Sequence, residues 1–375
     1  MYMKKLTLCV WLILLAACHG SDDNESEYIP PTLGGDVEVS FGGSVSVITS
    51  SVSVSRAPIN RATFDEGSEI GIYGMVANEN NMGTIDWAYN TVLLDAMKNA
   101  KYTATNHYVT DNGVVKQSLV QEEIAKFPPK ASPTSPEPAL VFYAYYPYTT
   151  AVAYDPYGSP NAPVIPVNLD HQDMSNTPDY MYAKASSVVT TQPILLTFEH
   201  ILTRLDFDLY TNIRDFGLVE GEIGSPRLKK IVVYQDKQYA ASMSLAGLES
   251  LDPEQAMSPL ALVYPNLDYV ITYKTAAQNR FTGASFLLFP TCFVTKVVFT
   301  IVTEKGVERD FIVYQYVAGS TDPLKQELPL ERGKITKLTV KYTREINPNA
   351  TINGWAENIN LEGFTIGDNN SNVTP

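Results

Sequence analysis

The chain has 375 residues, 45% of them hydrophobic, and a formal net charge of -14 at neutral pH. That is enough apolar sequence for two ordinary domains, and the acidic balance removes the electrostatic basis for binding nucleic acid. The only cysteines are Cys9, Cys18 and Cys292, too few for a disulfide framework.

In chain order, Lys4 and Lys5 precede an apolar segment, Leu6 to Leu15, which closes on small residues just before Cys18. This is the layout of a secretory signal peptide, and it is shorter than the roughly 20 apolar residues of a bilayer-spanning helix. Leu15, Ala16, Ala17 and Cys18 resemble a bacterial lipobox, which implies that residues 1–17 are removed and that Cys18 carries lipid, palmitate included, as the first mature residue. Asp22, Asp23, Glu25 and Glu27 cannot pack into a core, so residues 18–35 read as a solvated acidic tether. The run also resembles the surface-export signal of some gram-negative lipoproteins. With Cys9 in the signal and Cys18 acylated, no intramolecular disulfide is expected in the mature chain, and Cys292 reads as a small buried hydrophobe.

"VEVSFGGSVSV" alternates Val37, Val39, Phe41, Val45 and Val47 with polar or glycine positions, the period of a half-buried strand, with a kink expected at Gly42 and Gly43. Residues 37–54 read as the outermost strands of a first domain. Further strands are expected at "EIGIYGMV", "ALVFYAYYPY", "ILLTFEH", "RLDFDLYT", "LKKIVVYQD", "QYAASMSL", "LDYVITYKT", "ASFLLFP", "KVVFTIVTEKGVERDFIVYQY" and "KITKLTVKYT". "TEKGVE" reads as a hairpin turn, with Gly306 supplying the permissive backbone. "TVLLDAMKNAKY" and, more weakly, "LVQEEIAKF" carry helical spacing. Many short strands punctuated by 24 prolines and 22 glycines predict an all-β protein of sandwich type. The expected domains are 36–212 and 225–375, separated where Gly, Asp and Pro interrupt the apolar pattern in "NIRDFGLVEGEIGSPRLKK".

Phe142, Tyr143, Tyr145, Tyr146 and Tyr148 put rings on both faces of one segment, which suits a central strand buried on both sides; an exposed aromatic platform for sugar is the functional alternative. His19, His107, His171 and His200 share no metal-ligand spacing, and His200, between apolar neighbours, reads as a hydrogen-bonded structural histidine. Asp173 and Asp179 lack the alternating oxygen donors of a calcium loop and suit a turn. No nucleophile elbow, zinc-protease helix, phosphate loop or paired Cys-x-x-Cys is present, so neither metal nor cofactor is expected and the chain reads as a non-enzyme.

The segments "FDEGSEIGIYG", "FYAYYPY", "DYMYAKA", "LTFEHILTRLDFDL", "FLLFP", "LERGKITKLTVKYT" and "INGWAENI", in this order behind a lipobox, resemble the fimbrillin family, the Mfa-like subunits of type V pili, from about Asp36 to about Ile359. The resemblance implies two β-sandwiches of transthyretin-like or Greek-key type in tandem, exported as an outer-membrane lipoprotein to the cell surface and the fimbrium and assembled by strand exchange. It implies cleavage by an arginine-specific protease in the loop "SVSVSRAPINRATFDEG", with Arg61 first and Arg56 second. It implies that a C-terminal strand, with Ile359, Leu361, Phe364 and Ile366 as its apolar positions and a bulge at Gly363, is either donated to a neighbour or closes its own second domain. Partners are then other fimbrial subunits, in a homo- or hetero-polymer, the outer membrane through the lipid, and a host or bacterial surface ligand. The alternative function is a non-polymerising surface lipoprotein that binds glycan.

Overall fold

The computed structural model describes residues 35, 37–46, 62–77, 95–111, 113–130, 132, 134–154, 162–169, 179–218, 222–236, 240–245, 252–253, 261–264, 267–271, 273, 285–290, 292–321, 325–342 and 360–366. The first strands in chain order are β1 (Phe41–Val45), β2 (Glu69–Val76), β3 (Ala100–Asp111), β4 (Val114–Val120), β5 (Leu140–Tyr146), β6 (Val164–Asn168), β7 (Met181–Ser187), β8 (Ile194–His200) and β9 (Thr203–Thr211). They are followed by β10 (Arg227–Gln235), β11 (Ala240–Ser244), β12 (Asp252–Pro253), β13 (Ala261–Tyr264), β14 (Tyr269–Val270), β15 (Ser285–Leu288), β16 (Val294–Val302), β17 (Glu308–Gln315), β18 (Ile335–Tyr342) and β19 (Asn360–Ile366). The all-β class expected from the alternation holds, and "EIGIYGMV" and "ILLTFEH" form strands with the expected limits.

The first layer closes on itself in the order β1-β4-β3-β2-β5-β7-β8. Two further sheets face each other in the C-terminal half. One is β13-β10-β16-β17, with β14 also paired to β10, and the other is β15-β9-β18-β19. Phe207 on β9 meets Phe299 on β16 edge-on, with ring centroids 5.5 Å apart, so these two sheets share one core as a sandwich does. A small third sheet joins β6 to β11 and β12.

β5 shows why its sequence is aromatic throughout. Leu140, Phe142 and Ala144 point into the core enclosed by the barrel, whereas Val141, Tyr143 and Tyr145 point into the core shared with the C-terminal sheets. Period-2 alternation therefore feeds two cores from one strand, as expected from the rings on both faces. Neighbouring β2 divides the same way, Ile70 and Ile72 against Tyr73 and Met75. Burial pushes the Tyr143 and Tyr145 hydroxyls up to about 12. The ring of Tyr145 lies over Gly71, where an added Cβ would come within 2.2 Å of it.

Four expectations are corrected. Helical spacing in "TVLLDAMKNAKY" yields only a single 3-10 turn, Asp95–Met97, before β3 begins, because Ala100, Tyr102 and Ala104 face the barrel core at period 2. "LVQEEIAKF" finishes β4 and continues without a helix, Lys126 bridging to Glu38. No kink occurs at Gly42 and Gly43: the register of β1 on β8 is unbroken from Phe41↔Ile194 to Val45↔Phe198. Nor is the described part of 37–54 outermost, since β1 has a strand on each side. β9 pairs with β15 and β18, and β6 pairs with β11. The hairpin at "TEKGVE" forms as expected between β16 and β17, with Gly306 at φ 76°.

Candidate functional site: the slot of the first strand

β1 lies antiparallel to β4, with Phe41↔Leu119 and Gly43↔Gln117, and parallel to β8. It is the strand that closes the barrel, so without it β4 and β8 would each present an unpaired row of backbone groups. Val39, Phe41 and Val45 are buried in the barrel core. Phe41 meets the rings of Tyr102 and Phe142 edge-on, at 5.2 and 5.1 Å. The chain leading into β1 is held as well: Val39 N–H donates to Ala125 O and Phe127 N–H to Val37 O.

Both ends of the segment 47–61 are pinned at the same place. Ser46 N–H donates to Phe198 O at 2.8 Å, and Val45 N–H donates to Ala62 O at 3.0 Å. Just beyond, the buried Phe64 packs on Phe198 and Tyr146, 5.0 and 5.3 Å between centroids. Its backbone is clasped by Gln117, whose Oε1 accepts from Phe64 N–H (2.8 Å) and whose Nε2 donates to Phe64 O (3.1 Å) and Thr105 O (2.8 Å). A buried glutamine thus satisfies three backbone groups, and no feature of the sequence around it pointed to that role.

The outer face of β1 is also covered. Lys116 on β4 reaches across to β8, where its Nζ donates to Leu196 O (3.1 Å) and Thr197 Oγ1 (2.6 Å). Burial holds this ammonium below its ordinary value. A Cβ placed on Gly42 would lie 2.5 Å from Val109 Cγ2, 3.1 Å from Leu195 Cδ2 and 3.1 Å from Lys116 Cβ. On the inner face, a Cβ on Gly43 would lie 3.1 Å from Leu119 Cδ1.

At the other terminus β19 runs parallel to β18 as an edge strand, from Lys337↔Asn360 to Tyr342↔Ile366. The register slips between Thr339↔Glu362 and Val340↔Phe364, so the extra residue is Gly363, where a bulge was expected. Leu361, Phe364 and Ile366 fall within β19, and Ile359 lies outside the described residues, as do Cys18, Arg56 and Arg61.

The remaining candidates resolve as structure. His200 Nδ1 lies 3.0 Å from Asp179 Oδ1, and both residues are buried, which is the hydrogen-bonded histidine expected and explains Asp179 better than a turn does. His107 is exposed, and His19, His171 and Asp173 lie outside the described residues. Phe142, Tyr143 and Tyr145 are buried, so this strand offers no exposed sugar platform. Cys292 is buried, as expected. Among the described residues, no group of three His, Cys, Asp or Glu side chains could hold a metal, and no helix is long and apolar enough to cross a membrane.

Residues 55–355 match the fimbrillin-like family. The match begins after β1 and ends before β19. No curated protein matches the chain. Among solved structures, a candidate cell adhesion protein from Bacteroides uniformis aligns at 18% identity over 82% of this chain and 93% of that one, with a TM-score of 0.45. A candidate cell adhesion protein from Bacteroides ovatus aligns at 19% identity over 81% and 91%, with a TM-score of 0.44. A fimbrial assembly protein from Parabacteroides distasonis aligns at 11% identity over 80% and 91%, with a TM-score of 0.33.

Proposed function

The chain belongs to the fimbrillin-like family, and from this we propose that it is a non-enzymatic structural or adhesive subunit of a cell-surface fimbria, delivered to the outer membrane as a lipoprotein through Cys18 and assembled by replacement of its first strand. The observation that carries the reading is the seat of β1. It completes the barrel between β4 and β8, yet its covalent link onward runs through 47–61, which holds Arg56 and Arg61 and whose flanks meet at the Val45–Ala62 hydrogen bond. A cut in that segment leaves β1 attached to the body by non-covalent contacts alone. Another chain's strand is then a chemically equivalent occupant, since a ladder recognises backbone and alternate side chains wherever they come from. β19, held on one edge only, is the segment proposed to be donated.

The test is assembly in vitro. Nicking the full chain with an arginine-specific protease should release the segment before the cut and allow fibres to grow once other fimbrial subunits are added, whereas Arg56→Ala with Arg61→Ala should block both. Nicked chains that stay monomeric and keep β1, with or without other subunits, would count against strand replacement. Fatty-acid labelling of the wild type against Cys18→Ala tests the anchor separately; equal label in both would refute it.

A further inference from the structure

We propose that the slot of β1 selects its occupant by shape, accepting only a strand with glycine at the place of Gly42 and a residue no larger than glycine or alanine at the place of Gly43. This rests on the strand-replacement reading above. Three side chains from three strands close over Gly42: Val109 from β3, Lys116 from β4 and Leu195 from β8. The Lys116 ammonium is tied down on the far wall by Leu196 O and Thr197 Oγ1, so its stem is held in place above the strand. The closest obstruction, Val109 Cγ2 at 2.5 Å from a built Cβ, belongs to a branched side chain with little freedom to turn aside. Beneath the strand, Leu119 is buried and crowds Gly43.

The same filter excludes this chain's own C-terminal strand as the occupant. "NLEGFTI", residues 360–366, has one glycine, Gly363. Seated at the Gly42 position and running as β1 runs, it puts Glu362 where Phe41 packs between Tyr102 and Phe142, and Phe364 where Gly43 meets Leu119. Running the other way, it puts Phe364 at the Phe41 position and Glu362 at the Gly43 position. Either arrangement buries a carboxylate in an apolar core without a partner, which is strongly unfavourable. The occupant of this slot is therefore a strand of a different subunit, with the order large apolar, glycine, small, small polar, apolar. A second copy of this chain does not fill it.

Two measurements on the full chain test the filter. In the intact protein, Gly42→Ala should lower the melting temperature by at least about 2 °C, as overpacking does, and the loss should shrink when Val109→Ala is the background. An unchanged melting temperature overturns the proposal. In the chain nicked by an arginine-specific protease, a synthetic peptide of residues 37–46 should bind at least about tenfold more tightly than the same peptide with Gly42→Val or a peptide of residues 358–367. Val109→Ala in the nicked chain should narrow the first difference. Equal binding of all three peptides overturns the selectivity and leaves strand replacement standing. If no peptide binds, strand replacement itself is wrong, and the selectivity falls with it.

Discussion

β1 and β19 are short strands near opposite ends of the chain, held in different ways. β1 has a hydrogen-bonded neighbour on each side, with Val39, Phe41 and Val45 in a closed core, whereas β19 pairs with β18 alone. A strand in the first position is integral to its domain, and its loss exposes two edges at once. A strand in the second can leave while β18 keeps its pairing with β9. The difference separates a part that must be replaced from a part that can be given away.

The largest effect should come from emptying the β1 site. Phe41→Ala removes a fully enclosed ring and is expected to cost about 3–5 kcal/mol of the intact chain's stability in denaturant titration; a cost near zero would mean that β1 does not hold the barrel shut. Gln117→Leu is expected to cost about 1–3 kcal/mol, because Phe64 N–H, Phe64 O and Thr105 O lose their partner together. Its second readout is faster proteolysis next to Phe64.

Deleting Asn360 to Pro375 should cost less, about 1 kcal/mol, while leaving a cooperative thermal transition. If that deletion unfolded the chain, β19 would be a structural strand and the contrast with β1 would disappear. The smallest effect concerns alkaline pH. Burial raises Tyr102, the ring against Phe41, and also Tyr143 and Tyr145. For a raised group the folded state keeps its proton longer than the unfolded state, so the stabilisation is complete below pH about 10 and is lost as pH climbs through the folded values. Stability should therefore fall from about pH 10 upward. Tyr102→Phe should make that fall shallower by no more than about one proton in the slope of stability against pH.

Much of the fold was readable locally. Alternation marked β2, β8 and β18, the paired rings of "FYAYYPY" announced a strand with two buried faces, and Gly306 marked its hairpin. Periodicity failed at "TVLLDAMKNAKY", where the requirement that Tyr102 and Ala104 reach the barrel core overrode helical spacing. Gln117, Lys116 and Val109 carried no signal, because each acts on backbone or side chains of strands far away in sequence.

The all-β class, the alternating positions that face a core and the place of Arg56 and Arg61 after an alternating run are legible in the residues alone. That β1 enters between β4 and β8, that β9 leaves the first half to join β18, and that β19 stays on an edge emerge only when the strands are packed together. Side-chain alternation is a property of one strand, set by the pleat. Partnership is a property of two, set by which edges are still unpaired when distant apolar faces meet, and a run of residues read alone does not contain its neighbour.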